Sequence, residues 1–195
     1  MSSSYNAITG TDTANTLIAS GLADDIQALG GHDVVSGVAD GDKVSLAGGN
    51  DTMSLFDQFA IYDKISVDGG AGRDSLDLPW TTQNSTILGG SDHDKIHIRD
   101  YSKNKVYGDS GDDTILLSFG LDNGNVYGGN LSDATSSDGN DSISLGRGAH
   151  TALIHGNGGS DTLYLAMSMK QASMEAKAMI TSKAKTSLKQ SQALT

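Results

Sequence analysis

This 195-residue chain has no cysteine, one proline (Pro79), one tryptophan (Trp80) and, before position 166, no glutamate. Without cysteine there is neither a disulfide framework nor thiol chemistry. No segment stays apolar for long enough to span a bilayer, and the opening Met1-Ser2-Ser3-Ser4-Tyr5 lacks the basic and apolar regions of a Sec signal. Aromatic residues make up 5% of the chain, too few for a broad globular core. Basic residues are also scarce: residues 1–165 carry 8 of them against 23 aspartates, a net of −15. Such a chain repels nucleic acid, and self-repulsion of that size disfavours a compact state unless cations bind. With Glu175 as the sole glutamate, a His-Glu-x-x-His zinc motif is excluded, and there is no Gly-x-Ser-x-Gly elbow. His32, His93, His97, His150 and His155 are scattered, so no catalytic constellation is expected and the protein reads as a non-enzyme.

What the chain does have is 25 glycines and a recurring unit, a glycine-rich bend that ends in aspartate and runs into alternating apolar residues. The fullest copy is Gly69-Gly70-Ala71-Gly72-Arg73-Asp74-Ser75-Leu76-Asp77-Leu78. Related copies close at Asp94, Asp113 and Asp161, and weaker ones at Asp33, Asp51 and Asp141. Glycine takes positive φ without a steric penalty, so it fits a tight bend. The alternation that follows is that of a short strand with one buried face. The inward positions are expected at Leu17, Val35, Met53, Leu76, Ile96, Ile115, Ile143 and Leu163, with Leu55, Leu78, Ile98, Leu117, Leu145 and Leu165 two residues on. A repeat of this length stacks coil on coil, so the chain reads as a solenoid.

A second series, Asp25, Asp42, Asp63, Asn84, Asn104, Asn125 and His150, falls between the aspartate turns. Each coil therefore holds two strands and two turns. The fold expected is all-β, a right-handed parallel β-roll or β-helix over residues 1–165. The unit resembles the Gly-Gly-x-Gly-x-Asp-x-U-x nonapeptide of the RTX (hemolysin-type) calcium-binding repeat family, where U is a large apolar residue. The resemblance implies Ca2+ as cofactor, held between successive turns by aspartates and turn carbonyls. It points to Asp33, Asp42, Asp51, Asp74, Asp92, Asp94, Asp109, Asp113, Asp141 and Asp161 as metal ligands. Asparagine brings an oxygen without charge, so the second series is expected to hold calcium weakly or not at all beyond Asp63.

Residues 166–195 differ in kind, with five lysines, Glu175 and no glycine or proline. That composition favours a C-terminal α-helical segment, with Met169, Ala172, Ala176, Ile180, Ala184 and Leu188 as its apolar stripe. Three roles compete for it: a cap on the last coil, an arm for a partner protein or self-assembly, and a type I secretion signal. Tyr107 and Tyr127 occupy equivalent outward places and should stack; such aromatics either pack across strands or hold a surface glycan. The function expected is a calcium-stabilised structural or surface-interaction protein, extracellular or at the cell surface. The alternatives are a virion component (capsid decoration or tail protein) and the C-terminal repeat module of a larger extracellular enzyme.

Overall fold

The computed structural model describes residues 5–55, 62–78, 82–99, 103–118, 123–130, 138–146, 153–167, 179–180 and 187–192. These form a parallel β-solenoid, and no helix occurs among the described residues. Two nine-stranded sheets face each other, one running from Asn6–Thr11 to Met179–Ile180 and the other from Thr16–Ile18 to Ser187–Gln192. The chain alternates between them, so each sheet's neighbours are one coil apart. A short pair, Tyr62–Asp63 with Thr82–Gln83, lies between the sheets' ends.

Register fixes the core. Val44, Val67, Ile87, Val106, Val126 and Ile154 are successive partners in the first sheet. Val35, Met53, Leu76, Ile96, Ile115, Ile143 and Leu163 are successive partners in the second. All of them are buried. The strands alternate, as in Thr114 exposed, Ile115 buried, Leu116 half-buried and Leu117 buried. A parallel sheet covered on both faces would read as an unbroken apolar run; these sheets bury one face only. The aliphatic positions expected from the sequence are the core observed from Val35 to Leu163, with Leu17, in the first coil, half-buried and the Leu165 side chain outside the described residues.

Two expectations need revision. Where the tail is described, it is strand: Met179–Ile180 pairs with Leu153–His155, and Ser187–Gln192 with Thr162–Met167. Unpaired edge amides and carbonyls favour strand addition over a free helix. The remainder of the expected helix lies outside the described residues. The second turn series holds at Asp42 and Asn104 and is out of phase elsewhere. The buried positions are Asp24, Asp42, Ser85 and Asn104, whereas Asp25 and Asn125 sit one residue on, within strands. The outward parity of a strand separates neighbours, so a shift of one reverses which side chain enters the stack. His150 lies outside the described residues.

Candidate metal centre

From Asp33 to Asp161, each turn that joins the first sheet to the second closes on a buried aspartate. Asp33, Asp51, Asp74, Asp94, Asp113, Asp141 and Asp161 are each at most 3% exposed. They form one column. The amide of Asp33 donates to Asp51 Oδ1 at 2.6 Å, that of Asp51 to Asp74 at 2.7 Å, and that of Asp74 to Asp94 at 2.8 Å. The series continues from Asp94 to Asp113 at 2.7 Å, Asp113 to Asp141 at 2.9 Å and Asp141 to Asp161 at 3.1 Å. Asp33 to Asp161 thus spans six turns. Asn15 donates into the bottom of the column through its own amide, to Asp33 Oδ1 at 2.6 Å.

One carboxylate oxygen per residue is used in this way. The other is not. Oδ2 of all seven aspartates is buried without a hydrogen-bond donor. Buried acceptors are ordinarily paired, so a column of seven orphans calls for a partner that carries positive charge. Each of the upper five faces a glycine five or more residues earlier. A Cβ built on Gly89 would lie 2.7 Å from Asp94 Oδ2 and 2.5 Å from the Gly108 carbonyl oxygen. Gly69, Gly108 and Gly128 have the same pair of oxygens beside them, from Asp74 and Gly89, Asp113 and Gly128, and Asp141 and Gly156. Gly156 faces Asp161 Oδ2. The missing side chain lets a carboxylate oxygen and a carbonyl oxygen of the next coil converge beside the glycine, an oxygen-lined cradle of the donor type that calcium takes.

A second set of carbonyls lines the turn. A Cβ on Gly72, Gly111, Gly139 or Gly159 would meet the backbone oxygen of Gly49, Asp92, Gly111 or Gly139 respectively. All four glycines have positive φ. Among the described residues no three carboxylates or imidazoles converge on one point. The donors brought together are oxygens, a carboxylate and a carbonyl beside each of Gly69, Gly89, Gly108 and Gly128, which suits a hard cation of variable coordination such as calcium.

Electrostatics agree with an uncompensated site. Burial, with neighbouring aspartates, pushes Asp74 and Asp94 up to about 7, Asp141 to about 8 and Asp113 to about 9, even though each accepts an amide. Asp51 and Asp161 are raised for the same first reason, burial.

The other sequence-picked residues fall elsewhere. Asp42 lies at the opposite edge, and both its oxygens accept amides, from Asp24 at 2.8 Å and Ala39 at 2.7 Å. Its column neighbour Asp24 is likewise filled, by Asn6 and Ser20; these donors outweigh burial and hold its carboxyl below the usual range. Asp92 is exposed and reaches the turn through its carbonyl. Asp109 replaces a glycine at φ 70°, opposite Gly90, and burial with the charges of Asp68 and Asp138 pushes it up to about 6. At Asp33 and Asp51 the register puts Ala28 and Leu46 where the upper turns have glycine.

Sequence reasoning missed a second ladder on the exposed flank of the same turns. His32 Nδ1 accepts the Asn50 amide at 2.8 Å and His93 Nδ1 that of Asp112 at 2.7 Å. Asn50, Asp112 and Asn140 do the same for Arg73, Asn140 and Ser160. The signal was there, as an acceptor side chain directly before Asp33, Asp51, Asp94, Asp113 and Asp141. The expected aromatic stack is present: the Tyr107 and Tyr127 rings lie 5.0 Å apart, and His155 extends the stack at 5.3 Å. Both tyrosines are buried, at 7% and 6% exposure.

A family model described as the RTX calcium-binding nonapeptide repeat matches four times, at residues 9–44, 18–53, 102–123 and 153–166. The chain carries RTX calcium-binding repeats. No curated protein and no solved structure matches it. The four matches bracket the solenoid, from its first coil to the strand Thr162–Met167, and each includes or adjoins an aspartate of the buried column. Calcium binding is thereby supported for the RTX turns as a class. No helix among the described residues is long and apolar enough to cross a membrane.

Proposed function

We propose that this RTX protein is a structural or surface-interaction element that calcium locks into a rigid roll, with the ions along the aspartate edge. The observation that carries the reading is the column of buried Oδ2 atoms without donors. Five of them stand beside glycine cradles, so Asp74, Asp94, Asp113, Asp141 and Asp161 are the ligands proposed. Asp33 and Asp51 continue the column where Ala28 and Leu46 replace the glycine, and are assigned weaker sites. Asp42 is assigned to turn capping.

Each cradle offers one carboxylate, and affinity drops as ligand charges become fewer. Sites of that kind fill at calcium concentrations of about 10⁻⁴–10⁻³ M, the extracellular range. This supports action outside the producing cell. The stretch 166–195 is assigned to end-covering and docking, because its described pieces close the exposed edges of both sheets and its lysines oppose the acidic roll.

The test is thermal melting followed by circular dichroism, in calcium and in chelator. A ligand that binds the folded state alone raises stability by mass action. The reading requires a calcium-dependent rise in melting temperature that magnesium does not reproduce. Superimposable curves in calcium and chelator contradict it.

A further inference from the structure

On the outer face of the second sheet, away from the aspartate edge, three successive coils bring together a carboxylate, an imidazole and a hydroxyl. Asp77 and His97 are register partners in the strands Ser75–Leu78 and Lys95–Ile98. Ser118 follows the strand Thr114–Leu117, one coil further on. His97 Nε2 lies 2.7 Å from Ser118 Oγ, and His97 Nδ1 lies 3.3 Å from Asp77 Oδ1. Asp77 Oδ1 is buried without a hydrogen-bond partner, and His97 Nδ1 stands at ion-pair distance from it. Asp77 Oδ2 is held by Arg99 Nη2 at 2.8 Å.

This geometry selects the tautomer. A carboxylate charge 3.3 Å from Nδ1 favours the ring proton on that nitrogen, and in that tautomer Nε2 accepts from the Ser118 hydroxyl. A nucleophile within hydrogen-bond reach of a base, itself oriented by a third group, is the arrangement that activates serine. The coil above places Gly146 opposite Ser118, since Leu145 pairs with Leu117. No side chain therefore flanks the hydroxyl on that side. The coil below places the Arg99 backbone opposite it, since Ile98 pairs with Leu117, with the Arg99 guanidinium turned to Asp77.

We propose that Ser118 is an activated nucleophile for small, unhindered carboxylic esters, with His97 as general base and Asp77 as the residue positioning the imidazole. The proposal goes beyond calcium binding and stands on a separate set of residues. Ser118 Oγ bonds to the ester carbonyl carbon while its proton passes to His97 Nε2. The bond to the leaving alkoxide or phenoxide then breaks, and that oxygen takes the proton from His97. Water attacks the acyl-serine with the same proton relay and releases the acid and free Ser118. Because the three residues sit on three coils, the activity exists only in the stacked roll, which was not visible from residues 20 or more apart in sequence.

The test uses the full chain in calcium, with a fluorophosphonate probe mapped by peptide mass spectrometry and with p-nitrophenyl acetate turnover. Label on Ser118 in preference to the other serines is expected, along with ester turnover lost in Ser118→Ala. His97→Gln should lower the labelling rate at least tenfold, in line with the about 10²–10⁴-fold that general bases contribute. Asp77→Asn, which disturbs the tautomer, should lower it and shift its pH midpoint. For the unaltered protein the rate should rise with pH as His97 loses its proton, with a midpoint below that of free imidazole. Burial lowers His97, Asp77 opposes this, and Arg99 and Lys95 add to the lowering. That profile needs no variant to fold. Label spread evenly over many serines, a flat pH profile, or a folded His97→Gln that labels normally would make the cluster a hydrogen-bond network only and overturn the proposal.

Discussion

The amide of Asp74 donates to Asp94 Oδ1 at 2.8 Å across one full coil, while Asp94 Oδ2 is buried with no donor. One carboxylate thus does two separable things. Its first oxygen joins neighbouring coils, and its second faces the cradle at Gly89.

Asp94→Asn and Asp94→Ala should therefore part company. Asparagine retains an oxygen for the Asp74 amide and removes the charge. In chelator it should melt no lower than the parent, yet lose part of the calcium-dependent rise. Alanine removes both oxygens and strands the buried Asp74 amide, at a cost of about 1–3 kcal/mol in chelator as well. Melting both variants with and without calcium checks the separation.

Gly89→Ala tests the cradle itself. The added methyl would stand 2.5 Å from the Gly108 oxygen and 2.7 Å from Asp94 Oδ2, too close for either to stay, so it displaces the oxygens assigned to the ion. The calcium-dependent rise in melting temperature should shrink. Gly48→Ala, whose Cβ meets nothing closer than 4.0 Å, is the control and should keep the full rise.

On the opposite edge, Asn104 is buried and fully engaged, accepting the Ser85 amide at 3.0 Å and donating to the Thr82 carbonyl at 2.7 Å. Asn104→Ala should cost about 1–3 kcal/mol, for a stranded buried partner, equally in calcium and in chelator. A loss confined to calcium would move the metal to the wrong edge.

Acidity should act on the calcium-free roll in a defined direction. Burial raises Asp74 and Asp94 to about 7, Asp141 to about 8 and Asp113 to about 9, from an ordinary 3.8. A raised folded-state value means that the protonated carboxyl is the form that suits the fold. Its contribution is complete below about pH 3.8 and is lost as pH climbs through 7 to 9. In chelator the roll should accordingly melt higher at pH 5.5 than at pH 8.5. Calcium competes with those protons, so the gain from calcium should be larger at pH 8.5. Melting scans at both values, with and without calcium, check the two signs together.

The aspartate edge was legible because its residues recur with glycine, at steps of 18, 18, 23, 20, 19, 28 and 20 that the backbone hydrogen bonds repeat. The aliphatic core followed from the alternation after each aspartate. The opposite edge was less legible because it lacks one residue type for its buried place. Asp24, Asp42, Ser85 and Asn104 serve there, and adjacent polar residues such as Asp25 and Asp63 look equally eligible. The same limit hid the acceptor role of His32 and His93, which depends on the next coil's amide. Lysine-rich, glycine-free sequence read as helix in the tail, whereas the open edges of both sheets recruit its described parts as strands.

The most direct measurement is crystallographic, from crystals grown in calcium, with anomalous differences used to place the ions. The account predicts peaks along the aspartate edge, each within coordination distance of an Oδ2 of Asp74, Asp94, Asp113, Asp141 or Asp161 and of the facing glycine carbonyls. Peaks beside Asn104 and Ser85 instead, or Oδ2 atoms that bind only protein donors and water at saturating calcium, would contradict it.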